Sequence, residues 1–126
     1  MVIGPVEAVR VFTKNLAESR RFYAEVLGLK ELVSNDRWAI FDTGQAKLLI
    51  ERIDDGDAEG DSEVGRFAHF SFTVADMEKA LQSLRGAPIN WLGPPERQDW
   101  GGILAYLKDP DGTVLTLVQY PTPRRT

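Results

Sequence analysis

The stretch Arg66–Asp76, RFAHFSFTVAD, decides how this chain is read. In a strand, side chains two apart share a face, so Phe70, Phe72 and Val74 form an apolar side and His69, Ser71 and Thr73 a polar one. A polar side headed by the single histidine of the chain reads as the lining of a groove rather than as outer surface. Earlier in the chain Glu7–Asn15, EAVRVFTKN, follows the same plan, with Ala8 in register with His69 and Asn15 with Asp76. Such self-similarity points to an internal repeat.

Around these two stretches the halves unfold in parallel. In the first, Asn15 reads as a helix cap and Glu18, three residues on, completes a capping box. The helix is expected over Leu16–Leu27, with Leu16, Tyr23, Val26 and Leu27 facing inward, Phe22 flanking them and Gly28 ending it. Strands follow at Lys30–Ser34, Arg37–Thr43 and Ala46–Ile53. In the second half Asp76 caps a helix carrying Met77, Ala80, Leu81 and Leu84 at helical spacing, and Gly86 closes it. A strand then a loop are expected in Ala87–Gly102, and strands at Ile103–Leu107 and Thr113–Tyr120, joined by the turn residues Asp109-Pro110-Asp111-Gly112.

The net charge of −4 is local in origin. Six acids and no base stand in Asp54–Gly65, leaving 13 acids against 15 bases elsewhere, so neither a nucleic-acid footprint nor a large acidic field is present. That segment reads as a solvated linker. It also approaches a calcium loop, with Asp55, Asp57, Glu59 and Gly60 at positions 1, 3, 5 and 6, but Arg66 stands where the bidentate Glu belongs. With no cysteine there is neither a disulfide nor a thiolate. No apolar run reaches the roughly 20 residues of a membrane span, and Met1–Thr13 lacks the pattern of a signal peptide. The expected address is the cytoplasm, with no membrane and no nucleic acid as partner.

The NLAESRRFYAEVLGL helix, the closing DPDGTVLTLVQ strand and the repeated strand–helix–strand–strand–strand order resemble the vicinal oxygen chelate superfamily of glyoxalases, extradiol dioxygenases and bleomycin-resistance proteins. The resemblance implies an α+β fold of two βαβββ modules. Each forms a half-barrel around a groove, and the groove is completed in a homodimer. The boundaries it implies are 1–53 for the first module, 54–65 for an acidic linker, 66–121 for the second module and 122–126 for a tail.

Enzymes of that superfamily place a metal ligand on the first and last strand of each module. On the first strands the matching positions are Ala8 and His69, each seven residues before the helix cap. Counting from the turn glycines Gly44 and Gly112 gives Leu48 and Thr116 on the last strands, the latter where the family usually has glutamate. Only His69 is a good metal donor. Glu7 and Glu51 lie at odd separations from Ala8 and Leu48, which points them to the opposite face. A metal ion polarising substrate is worth several kcal/mol, against about 1 kcal/mol for an imidazole hydrogen bond. No cofactor is therefore expected.

His69 is a groove donor to a ligand or a satisfied half-buried histidine. Phe12 and Arg10 share the parity of Ala8; Trp38 and Tyr106 are separated by the same interval as Gly44 and Gly112; and Trp100 stands in a Gln-Asp-Trp-Gly-Gly stretch without apolar neighbours. These residues, with Thr116 and Leu48, are the candidate ligand-binding set. The reading is a groove that binds and sequesters a planar or partly apolar small molecule, an antibiotic being one candidate. Its rivals are a divalent-metal glyoxalase- or dioxygenase-type enzyme with a non-standard ligand set, and an accessory or sensor domain with a vestigial groove.

Overall fold

The computed structural model describes residues 6–54, 56–66 and 69–121, apart from the side chains of Glu59 and Asp61. Strand β1, Ala8–Thr13, leads into helix α1, Leu16–Arg21. The helix starts where expected, because Asn15 keeps an extended backbone and its side-chain oxygen accepts the Glu18 N–H at 3.0 Å. It does not stay regular to Leu27. Phe22–Val26 winds as a π-helical turn, which brings Phe22 as well as Tyr23 into the core, their rings edge to face at 5.2 Å.

Strands β2 (Lys30–Ser34), β3 (Trp38–Asp42) and β4 (Lys47–Arg52) complete the first sheet, in the order β1-β4-β3-β2, with β1 parallel to β4. The second sheet repeats this with β5 (Phe70–Thr73), β8 (Ile103–Lys108) and β9 (Val114–Gln119), β5 running parallel to β9. Helix α3, Met77–Ser83, starts on Asp76, whose side chain accepts the Lys79 N–H at 3.1 Å. The Pro-rich segment yields two short strands instead of one, β6 (Asn90–Trp91) and β7 (Glu96–Arg97), both paired with β8.

The acidic segment is not a plain linker. Asp57 accepts the Gly60 N–H at 2.9 Å and so caps a short helix α2, Ala58–Glu63. Beyond it Gly65, with φ of +75°, lies so close to the Asp111 carbonyl that a Cβ there would stand 2.4 Å from it. Asp55 and the Glu59 side chain, two of the calcium-loop positions, lie outside the described residues, as do Phe67, Ala68 and the tail.

One junction locks the halves together. The buried Asp109 accepts the Tyr23 hydroxyl at 2.7 Å through one oxygen, and through the other the Asp111 and Thr113 N–H groups at 2.9 Å. Asp111 accepts the Ser19 hydroxyl and the Lys14 N–H, each at 3.0 Å. Burial raises the Asp109 carboxyl above its ordinary value, and burial beside Asp109 raises the Tyr23 phenol too, so the proton stays on the tyrosine. A single core, including Val11, Tyr23, Phe41, Leu48, Ile50, Leu107, Leu115 and Leu117, spans both sheets. No helix among the described residues is long and apolar enough to cross a membrane.

Candidate functional site

Each sheet has an inner face in the shared core and an outer face away from it. On β1, Val9, Val11 and Thr13 turn inward, Val11 and Thr13 fully, whereas Ala8, Arg10 and Phe12 share the outer face. Partners across a ladder point the same way. Val9 pairs with Leu48 and Val11 with Ile50, while Arg10 pairs with Leu49 and Phe12 with Glu51. Leu48, buried to 2%, therefore belongs to the core and not to the outer face.

A difference in turn length explains this correction. Six residues separate the paired Phe41 and Leu48, but seven separate the paired Leu107 and Leu115. Val9 and Phe70 each stand six residues before their helix cap and pair with Leu48 and Leu115. The counterpart of Thr116 is thus Leu49. Counting from the turn glycine slips by one residue, which on a strand exchanges the faces. For the same reason Trp38 corresponds to Leu104, and Tyr106 to Ile40. Glu51, assigned to the far face from sequence, is on the outer face after all. Its side follows from pairing with Phe12 across the ladder, a register that counting along the chain does not supply.

The outer face of the first sheet carries Phe12, Glu51 and Trp38 in one row across β1, β4 and β3. Arg10 forms an ion pair with Glu51 at 3.3 Å from an exposed position, and Trp38 is 36% exposed. On the second sheet Ser71, Thr116 and Tyr106 form the equivalent of the Arg10, Leu49 and Ile40 row. Phe70 and Phe72 point into the core, their rings 5.5 Å apart, and Ser71 and Thr73 are exposed, as the alternation of that stretch requires.

His69 and Trp100 do not share this arrangement. His69 is exposed and precedes β5 instead of lying within it. Trp100 packs beside Tyr120, ring centroids 5.8 Å apart, beyond the far end of β9. By register His69 stands level with Val114, so the two are separated along β9 by roughly 20 Å at strand rise. Tyr120 is a partner that the sequence neighbours of Trp100 do not reveal, and the indole also covers Gly102 so closely that a Cβ there would stand 1.9 Å from it.

Would these residues hold a divalent ion? The four strand positions carry the methyl group of Ala8, the isobutyl group of Leu49, the hydroxyl of Thr116 and the imidazole of His69. A catalytic site normally needs three protein ligands, and among the described residues no three His, Asp or Glu side chains gather as ligands would. The set does not fit a metal of that type. Among the described residues the outer faces offer aromatic surface, hydroxyls and the Arg10–Glu51 ion pair.

The sequence model described as the Glyoxalase/Bleomycin resistance protein/Dioxygenase superfamily matches residues 5–117. A lactoylglutathione lyase of Arabidopsis thaliana is 29% identical over 120 residues, covering 86% of this chain and 42% of that protein. The chain thus spans under half the length of that curated relative. A bleomycin resistance protein of Klebsiella pneumoniae is 64% identical over 25 residues, 20% of each chain. Among solved structures, a superfamily member from Sphaerobacter thermophilus superposes with a TM-score of 0.74 at 20% identity, covering 94% of this chain and 99% of that one.

Proposed function

The chain belongs to the glyoxalase/bleomycin resistance protein/dioxygenase superfamily, and on that premise we propose that it binds and sequesters a small planar or partly apolar compound without a metal ion. The observation that carries the proposal is the register placing Leu49, not a carboxylate, opposite Arg10 and in the position equivalent to Thr116. Alkyl and hydroxyl groups there favour dispersion and weak hydrogen bonding over chelation. Phe12, Trp38 and Tyr106 supply flat apolar surface for a planar guest, and Arg10 and Glu51 supply polar ends. A second copy of the chain laid against these faces would enclose the guest, so the working form in this proposal is a homodimer. An antibiotic is one compound of this class, and the short match to a bleomycin resistance protein supports that choice.

The rival, a metal-dependent enzyme, draws on the longer match to a lactoylglutathione lyase. Metal analysis of protein purified without chelator separates the two. The expected content is well below one ion per chain; one tightly held Ni, Zn, Mn or Fe per chain would overturn the metal-free reading. Tryptophan fluorescence against a panel of planar aromatic drugs tests the guest. At least one should quench with saturation, and Trp38→Ala should weaken it about tenfold, the loss of one aromatic anchor. Quenching by none would favour a vestigial groove.

A further inference from the structure

The two halves do not meet symmetrically. Aligning the caps Asn15 and Asp76 places Ser19 over Ala80 and Tyr23 over Leu84. Counting forward from the paired Phe41 and Leu107 sets Asp109 over Thr43, and counting back from the paired Leu48 and Leu115 sets Asp111 over Gly44, with the extra residue of the longer turn between them. At the first junction Ser19, Tyr23, Asp109 and Asp111 close on one another through hydrogen bonds. At the second, all four counterparts line a cavity of about 790 Å³.

We infer that this cavity between α3 and the β3–β4 turn is a second binding site, away from the row of Phe12, Glu51 and Trp38, for an uncharged, largely apolar molecule of drug size. Its volume falls within the roughly 300–1,000 Å³ of small-molecule pockets. Its inner wall is apolar: Leu48 and Leu117 are buried, and Val9, Phe70, Phe72 and Leu84 are half-buried. The cavity opens to solvent on the side of its exposed lining residues, while its apolar inner wall gives water few partners. The exposed Thr43, Gln45, Ser83, Ser71 and Thr73 also line the cavity, the last two from the outer face of β5, and offer uncharged hydrogen-bonding groups to the outer end of a guest. The one ionisable lining residue is Lys47, already paired with Glu7. A charged guest would therefore lose hydration without gaining a free counter-ion.

The test uses N-phenyl-1-naphthylamine, an uncharged probe that fluoresces in apolar surroundings, titrated into the full chain. One probe per chain should bind with saturation. Leu84→Trp, which fills the inner wall, and Ser83→Trp, which blocks an exposed lining position, should each weaken binding at least tenfold, with circular dichroism reporting that the variants fold. Failure of the unaltered chain to bind would overturn the inference, as would unchanged binding in both folded variants. Loss of binding in Trp38→Ala would also overturn it, because the probe would then sit on the outer face. None of these three results bears on the metal content that tests the proposed function.

Discussion

Two junctions built on the same plan end differently. Where α1 meets the β8–β9 turn, an aromatic ring, a hydroxyl and two carboxylates fit together with the phenol and acid buried. Where α3 meets the β3–β4 turn, a leucine, an alanine, a threonine and a glycine leave open space. The backbone repeat is common to both, so the difference comes from side-chain volume and hydrogen-bonding capacity. A duplicated fold can thus use one interface for cohesion and spare the other.

The comparison can be broken at the sealed side first. Tyr23→Ala removes a fully buried ring and should cost about 4 kcal/mol in urea denaturation, whereas Leu84→Ala, beside existing space, should cost less than half of that. Equal losses would mean that the junctions are energetically alike. Tyr23→Phe keeps the ring but leaves a buried Asp109 oxygen without its donor, for an expected loss of about 2 kcal/mol. At the open side the sign should reverse: Leu84→Phe should raise stability by about 1 kcal/mol by filling space, and a destabilised variant would show that the cavity wall cannot accept volume.

The smallest effect is in pH dependence. Burial holds the folded Asp109 carboxyl above its ordinary value of 3.8, so the folded chain keeps that proton when the unfolded chain has lost it. The contribution of this group to stability therefore falls as pH rises from 3.8 through the raised value, then levels off. Denaturation midpoints across that window should show a decline that Asp109→Asn removes. The Thr43 side has no such group to titrate.

Much of this architecture can be read from the chain. Asn15 and Asp76 announce the helices that follow them, because a side-chain acceptor before a helical stripe has few other uses. The alternation of Phe70–Val74 places its faces correctly. Legibility fails where one residue changes the count. A turn one residue shorter turned Leu48 inward and Glu51 outward, and a π-helical turn drew Phe22 into the core. It fails also for contacts distant in sequence: nothing near Trp100 foretells Tyr120, and nothing near Tyr23 foretells Asp109. The Asp57 cap is hidden in the sequence because a run of acids reads as a linker before it reads as a helix start.

The indole of Trp100 rests on the missing side chain of Gly102. One added methyl there would evict the ring and push a large greasy plate toward the solvent, at a point already half open to it. A single nucleotide change could thus convert a private intramolecular contact into an adhesive patch, giving this surface a short mutational route to new company.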